Sequence, residues 1–160
     1  VAGLSYDLET TGIGPTAEIV QIAVHTANSA RDEPPSFSAY VMPQGPISEA
    51  ATAVHGLTRD SLVAAEAEPF DEVWRRMEAW IEATFGSQRP LVFCAHNGAS
   101  FDHLILSREC GRLGKDLAGG EYARWHFHDT LPLARQVLPG RFGPGSYTLS
   151  RLFEDATTGR

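Results

Sequence analysis

The spacing of hydrophobic residues changes at residue 48, and this change constrains the fold more than any other feature of the sequence. Before it, three strand-like segments at residues 1–9, 18–26 and 37–42 are joined by short connections, which favour an antiparallel meander. After it, segments with helical spacing alternate with short apolar segments that are typical of strands. This order predicts an α/β protein with a mixed sheet and helices on its faces.

The second part of the sequence predicts six helices and two strands. The helices are expected at residues 48–53, 59–65, 69–81, 101–113, 130–138 and 148–154, and the strands at residues 91–95 and 125–128. The segment 91–95 is a continuous apolar run, which is typical of a strand buried on both faces. Residues 27–35 and 139–145 are expected to be loops, and no repeat or linker divides the chain.

The length and composition exclude several classes of protein. A chain of 160 residues with 42% hydrophobic and 21% charged residues is typical of one globular domain, not of a disordered or fibrous chain. No apolar run approaches the ~20 residues of a membrane helix, so no membrane partner is expected. Two cysteines are too few for a disulfide framework, which favours a reducing intracellular location, in the cytoplasm or nucleus. The net charge of −7 argues against a long basic footprint on nucleic acid, although metal ions can neutralise such a substrate locally.

Two acidic residues on the first predicted strand are candidates for a metal site. Asp7 and Glu9 are two positions apart, so their side chains point to the same face. Adjacent like charges on one face are unfavourable unless a cation neutralises them, and a divalent metal ion would do so. The alternative is a solvated strand end, and the pair by itself favours that alternative.

A third carboxylate strengthens the metal interpretation. Asp102 follows a predicted strand and lies in the first turn of a predicted helix, where the helix dipole favours an ionised carboxylate. Open sheets carry their sites at the carboxyl ends of strands. Asp102 either stabilises only the helix N-terminus or joins Asp7 and Glu9 in holding two hard cations. Such a pair of ions can activate a water and stabilise the leaving oxygen in phosphodiester hydrolysis.

Two longer motifs resemble those of a known family. Residues 5–12, Ser-Tyr-Asp-Leu-Glu-Thr-Thr-Gly, and residues 95–102, Ala-His-Asn-Gly-Ala-Ser-Phe-Asp, resemble the first and second exonuclease motifs of the DEDD superfamily of 3′→5′ exonucleases. Residues 19–23 and 53–58 resemble other signatures of that superfamily, and residues 48–62, 129–133 and 146–149 are similar to its three-prime repair exonucleases. The resemblance implies a ribonuclease H-like exonuclease fold, with a five-stranded mixed sheet flanked by helices. Residues 1–160 would form a single exonuclease domain that is incomplete at its C-terminus.

The resemblance also implies an activity. The protein would hydrolyse phosphodiester bonds at the 3′ ends of single-stranded or frayed DNA and release nucleoside monophosphates, using two Mg²⁺ ions for which Mn²⁺ can substitute. Its partner would be the 3′ end of a single-stranded nucleic acid, DNA in preference to RNA. The resemblance is compatible with either a monomer or a homodimer. An inactive exonuclease-fold interaction module is one alternative, although a dead site has no physical need for three repelling carboxylates. A second alternative is an RNA-directed exonuclease of the same superfamily, because the contacts that recognise the 2′-hydroxyl of RNA are not identifiable in the sequence.

The family's functional residues can be assigned position by position. Asp7, Glu9 and Asp102 match the catalytic, metal-binding carboxylates. The substrate-binding positions would be Glu9, Thr10, Thr11, Ile13, Val54 and His128. Ile13 and Val54 match apolar positions that wedge against terminal bases, with ordinary core packing as the alternative. Asp129 would be auxiliary to the site or the N-cap of the following helix, and the cap is favoured.

The chain also departs from the family. The third motif, a His followed five positions later by Asp on a C-terminal helix, has no counterpart here, since no His follows His128. Residues 156–160 are expected to form a loop that leads into such a helix. The general-base His and the fourth Asp would therefore lie outside this chain, and the 160 residues alone are expected to be nearly inactive. The connection at Pro34–Pro35 is shorter than the proline-rich stretch of mammalian three-prime repair enzymes, which puts their proline-mediated contacts in doubt.

Overall fold

A five-stranded mixed sheet forms the centre of the protein. The computed structural model describes residues 1–27, 33–143 and 145–158. The strands are β1 (Ala2–Thr10), β2 (Ile19–Thr26), β3 (Ser36–Tyr40), β4 (Leu91–Ala95) and β5 (Trp125–Asp129), in the spatial order β3-β2-β1-β4-β5. The first three strands are antiparallel, whereas β4 runs parallel to β1 and β5 runs parallel to β4. The meander and the parallel strands expected from the sequence are thus confirmed.

Helices connect and follow the strands. They are α1 (Glu49–His55), α2 (Arg59–Ala64), α3 (Phe70–Phe85), α4 (Asp102–Arg112), α5 (Thr130–Val137) and α6 (Leu149–Thr158). Among the described residues, no helix combines the length and the hydrophobicity needed to cross a bilayer. The predicted loops at 27–35 and 139–145 lie partly outside the described residues, which exclude 28–32 and 144.

The hydrophobic core lies between one face of the sheet and two helices. On β1 the buried residues alternate with more accessible ones, as the sequence predicts. The core contains side chains from β1, α3 and α4: Leu4, Tyr6, Leu8, Val73, Trp74, Met77, Ile81, Ile105, Leu106 and Cys110. Burying these apolar side chains is the main stabilising contribution to the fold. The face that carries Asp7 is opposite this core.

Three expectations about individual elements are wrong. The strand predicted at 37–42 ends at Tyr40, because Val41 forms only an isolated bridge, to Glu68. β4 is buried on one face only, since Val92 and Cys94 on the other face are half-accessible.

The loop predicted at 156–160 is the third. α6 continues through Thr158, and residues 159 and 160 lie outside the described part of the chain. The hydroxyls of Thr157 and Thr158 donate to the carbonyl oxygens of Phe153 and Glu154, one turn earlier, at 2.8 and 2.7 Å. These two threonines are therefore compatible with the last turn of a helix.

Candidate active site

β1 presents two carboxylates on the face of the sheet away from the core. Asp7 is exposed, Glu9 is half-buried, and the residues between and around them point into the core. Asp7 lies opposite Ala23 on β2, and Glu9 lies opposite Gln21. Because both of these neighbours are uncharged, β2 does not neutralise the pair.

Asp102 joins this pair through a hydrogen bond to the backbone of β1. The last paired residues of β1 and β4 are Ser5 and Cys94, so β1 extends beyond β4. The Leu8 N–H donates to Oδ1 of Asp102 at 3.1 Å. Only 5% of Asp102 is exposed. The first residue of α4 therefore lies against the segment of β1 that carries Asp7 and Glu9.

Loss of hydration raises the pKa of all three carboxylates, and neighbouring negative charge adds to the shift of Glu9 and Asp102. Burial raises the pKa of Asp102 to about 6, and the charges of Asp7 and Glu9 add to that effect, while the Leu8 N–H opposes it. Partial loss of hydration at the surface of the sheet also raises the pKa of Asp7. The pKa of Glu9 is raised by burial and then by Asp7, and it is lowered by His55. Proximity of like charges and loss of hydration both favour the protonated forms.

This donor set fits a hard cation. Three carboxylates supply oxygen ligands, and among the described residues none of them has an Arg, Lys or His ion-pair partner. In the same residues no three His, Cys, Asp or Glu side chains already have ion-holding geometry. The fit therefore rests on the chemistry of Asp7, Glu9 and Asp102 and on their mutual repulsion, which a divalent ion would relieve.

The backbone after Glu9 is held by a histidine. The Leu57 N–H donates to Nδ1 of His55 at 3.0 Å, so Nε2 carries the proton and donates to the carbonyl oxygen of Thr10 at 3.1 Å. Thr10 and Thr11 are both buried. Because both ring nitrogens are occupied, His55 positions the strand end and does not serve as a base.

Two apolar side chains near this strand end are exposed. Ile13 is 91% exposed and Val54 is 83% exposed. The alternative that they belong to the core is therefore wrong. Ile13 follows Thr11, and Val54 precedes His55, so the His55–Thr10 hydrogen bond joins the two segments that carry them.

Asp129 caps α5 and also holds the turn before α4. Its carboxylate accepts from the Leu131 N–H at 2.8 Å, which is an N-cap bond. It also accepts from the N–H groups of Asn97 and Ala99, at 2.8 and 3.2 Å. The Asn97 backbone is left-handed, with φ of 62°. Asp129 thus fixes the turn that leads to Asp102.

Sequence reasoning missed the contacts of His96. Its Nε2 donates to the carbonyl oxygen of Tyr147, 51 residues away in the chain, at 2.6 Å. Its Nδ1 lies 3.1 Å from the hydroxyl of Thr130, 34 residues away. The only signal in the sequence was its position at the end of a strand. His128 is exposed near the end of β5, where it pairs with Cys94. Among the described residues, no hydrogen bond joins His128 to the three carboxylates.

The sequence is similar to those of known nucleases. A DNA polymerase III subunit epsilon-like protein from Rhodobacter capsulatus is 40% identical over 114 residues, which cover 69% of this chain and 15% of that protein. Human three prime repair exonuclease 2 is 29% identical over 146 residues, which cover 81% of this chain and 59% of that protein. The chain thus spans less than two thirds of the length of either relative.

Solved structures show the same fold. The zinc-bound complex of E. coli exonuclease I with single-stranded DNA superimposes with a TM-score of 0.71 at 18% sequence identity, over 92% of this chain and 31% of that one. The exonuclease profile RNase_T matches residues 4–159. The match includes both motifs that carry the resemblance seen in the sequence, and it extends over nearly the whole chain. This protein therefore belongs to the RNase_T exonuclease family.

Proposed function

We propose that this protein is a metal-dependent 3′→5′ exonuclease that acts on the ends of single-stranded or frayed DNA. The observation that carries the proposal is the hydrogen bond from the Leu8 N–H to Asp102. It brings a buried carboxylate against the strand that carries Asp7 and Glu9. Three neighbouring carboxylates that have no ion-pair partner in the described part of the chain are suited to a divalent cation and serve no evident packing purpose.

Asp7, Glu9 and Asp102 would hold two Mg²⁺ ions, for which Mn²⁺ can substitute. When bound, the ions would neutralise the attacked phosphate and activate a water for phosphodiester hydrolysis. The part played by the chain is to hold the three carboxylates in place. β1 fixes the first two, and α4 fixes Asp102, whose approach is supported by the Asp129 contacts to the preceding turn.

The 3′-terminal nucleotide would bind beside the carboxylates. The backbone at Thr10 and Thr11 would hold its sugar and phosphate, and Ile13 and Val54 would pack against the terminal bases. Their exposure supports this role, because a solvent-exposed aliphatic pair next to a catalytic site gains free energy by contacting a base. His128 at the end of β5 would contact the strand further from its end. The DNA bound in the E. coli exonuclease I complex supports a single-stranded substrate.

We also propose that residues 1–160 form a single exonuclease domain and that its general base lies outside them. His55 and His96 use both ring nitrogens in the fold. His103 stacks on Phe127, and burial lowers its pKa. Loss of a general base typically costs ~10²–10⁴-fold in rate. The 160 residues alone should therefore bind a 3′ end and degrade it very slowly.

The metal-dependent binding of a 3′ end is the direct test. Fluorescence anisotropy would compare 5′-labelled single-stranded DNA with a free or a blocked 3′ end, with and without Mg²⁺. We expect Mg²⁺ to strengthen binding of the free 3′ end only. Asp7→Asn should abolish that strengthening without changing the circular dichroism spectrum, while Asp60→Asn on α2 serves as the matched control. A Mg²⁺ effect that survives Asp7→Asn contradicts the assignment of the metal site.

Degradation of the same DNA tests the missing base. In Mg²⁺, the 160-residue chain should leave the labelled strand nearly intact under conditions in which human three prime repair exonuclease 2 shortens it fully. A ladder formed at a comparable rate would place the base within residues 1–160. Binding that needs neither metal nor a free 3′ end would favour an interaction module, and preferential binding of RNA would favour an RNA-directed exonuclease.

A further inference from the structure

An arginine on α4 holds the loop between β1 and β2. This loop, residues 11–18, is called the end loop below, and it carries the exposed Ile13. The guanidinium of Arg108 reaches it with two donors. Nη1 donates to the carbonyl oxygen of Pro15 at 2.7 Å, and Nη2 donates to that of Ala17. The two carbonyl oxygens and the two donors form a fork-shaped contact.

Among the described residues, no other hydrogen bond joins the tip of the end loop, residues 13–17, to a helix. Its two ends are joined to each other, since the Thr11 N–H donates to the carbonyl oxygen of Glu18 at 2.8 Å and the Glu18 N–H donates to the hydroxyl of Thr11 at 3.0 Å. The carbonyl oxygen of Thr11 also accepts from the Ser48 N–H at 2.9 Å, that of Gly12 accepts from the Thr10 hydroxyl at 2.8 Å, and the Glu18 carboxylate accepts from two N–H groups of the segment after β3. A turn bond from the Ala17 N–H to the carbonyl oxygen of Gly14, at 3.2 Å, lies inside the loop. Among the described residues, Arg108 is thus the hydrogen-bond link between the loop tip and α4.

Packing holds one side of the end loop, because Ala17 belongs to the buried core, whereas Ile13 remains exposed. An open pocket of about 910 Å³ adjoins the end loop, and its lining includes Ile13, Thr16, Met42 and Phe70. A loop that borders a cavity has fewer van der Waals contacts to fix its position than a loop packed on a core. Because the exposed Ile13 has little packing of its own, its position follows the loop backbone, to which Arg108 adds two hydrogen bonds just after Ile13.

The guanidinium is itself fixed by neighbouring charges on α4. Glu109, which is 7% exposed, accepts from Nη2 of Arg108 at 3.4 Å and from Nη1 of Arg112 at 2.8 Å. Arg112 shares this carboxylate, but it has no bond to the end loop among the described residues. The same helix begins at Asp102. α4 therefore holds a candidate metal ligand at its first residue and, through Arg108, the loop that presents Ile13.

We infer that Arg108 is a positioning residue that sets the distance between the 3′-terminal base and the catalytic carboxylates. The inference rests on the proposed function. Arg108 does not touch the substrate, and it acts through Ile13. Because the contact needs two donors in a fixed planar arrangement, lysine can replace it only in part.

The test compares three variants: Arg108→Gln, Arg108→Lys and the control Arg112→Gln. One single-stranded oligonucleotide would carry the fluorescent base 2-aminopurine at its free 3′ end, and a second would carry it at an internal position. Both would be measured with Ca²⁺ as the metal ion. Immobilising a loop side chain only on binding costs about 0.5–1.5 kcal/mol, so Arg108→Gln should weaken 3′-end binding about two- to twelvefold. It should also change the fluorescence of the terminal base only. Arg108→Lys should lie between Arg108→Gln and the wild type, and Arg112→Gln should change the Kd by less than about twofold.

A double-mutant cycle with Ile13→Ala separates positioning from general stability. If Arg108 acts through Ile13, Arg108→Gln should have no further effect on binding once Ile13 is truncated, whereas two independent losses would multiply. Additive losses, or equal losses in Arg108→Gln and Arg112→Gln, would overturn the inference. Thermal unfolding identifies a variant that fails to fold. If Arg108→Gln fails to fold, the partial binding by Arg108→Lys decides whether Arg108 positions the loop. A wild type that does not prefer a free 3′ end contradicts the proposed function instead, whereas a preference that Arg108→Gln leaves intact contradicts this inference alone.

Discussion

At the scale of single residues, the most consequential contact is the one that Asp102 makes with the backbone of β1. The Leu8 N–H stabilises the charged carboxylate, but burial and the charge of Asp7 oppose this effect and leave the pKa at about 6. In the unfolded chain an Asp has a pKa near 3.9. Ionising Asp102 therefore costs the folded protein stability when no cation is bound.

This shift predicts an unusual dependence of stability on pH. Between about pH 4 and pH 6 the unfolded chain releases the Asp102 proton while the folded protein keeps it, so the free energy of unfolding falls as the pH rises. Each unit of pKa shift corresponds to about 1.4 kcal/mol, so the shift of about two units contributes about 3 kcal/mol. In EDTA, urea unfolding of Asp102→Asn at pH 4.5 and pH 7.5 should show a smaller fall than the wild type. Equal falls in the two proteins would show that Asp102 ionises normally.

The sequence contains the candidate carboxylates but not their supporting contacts. Alternation along the first strand places Asp7 and Glu9 on one face, and the carboxyl ends of parallel strands place Asp102 near them. The contacts of His96 and Asp129 join residues more than 30 positions apart, and no periodicity encodes such pairs. They become visible only when the strands are paired.

At the scale of elements, the turn between β4 and α4 depends on the next strand and helix. Asp129 at the end of β5 accepts three backbone N–H groups, one from α5 and two from the turn. Short-range patterns predicted the cap, because an Asp before a helix is a common N-cap. The same patterns predicted burial less well, because burial depends on tertiary packing. The apolar run of β4 was expected to be buried on both faces, but it is half-accessible on one face.

Removing the Asp129 carboxylate should therefore cost more than removing an ordinary cap. Asp129→Ala loses an N-cap bond, for which about 0.5–2 kcal/mol is typical, and leaves the N–H groups of Asn97 and Ala99 without this acceptor. We expect a loss of about 2–4 kcal/mol in the free energy of unfolding by urea. Thr58→Ala, which removes only the cap of α2, should cost about 1 kcal/mol. Equal losses in the two variants would show that the turn bonds contribute nothing.

At the scale of the whole molecule, charge limits how the protein can hold a nucleic acid. The net charge is −7, and the chain has 13 basic side chains. Of the eleven basic side chains among the described residues, seven already pair with carboxylates of the fold: Arg75, Arg76, Arg108, Arg112, Lys115, Arg124 and Arg141. Few cations are left to follow a phosphate backbone.

The affinity for single-stranded DNA should therefore depend only weakly on salt. Each neutralised phosphate contributes a slope of about −0.7 to a plot of log K against log salt concentration for single strands. We expect a slope no steeper than about −2, measured by anisotropy over a NaCl series at constant Ca²⁺. A slope typical of 6–10 phosphate contacts would mean that a basic surface, and not the strand end, dominates binding.

The pairing of β4 with β1 ends at Cys94, and this limits the insertions that the protein can tolerate in β4. The Leu8 amide serves Asp102 because β4 has already stopped pairing with β1 at Cys94. Pairing of β4 that continued past this point would claim the same amide for the ladder. An insertion that lengthened β4 could therefore eliminate the candidate site while every acidic residue remained in the sequence. A search for the acidic residues in the sequence would not detect this loss, whereas the pairing register of β1 and β4 would show it.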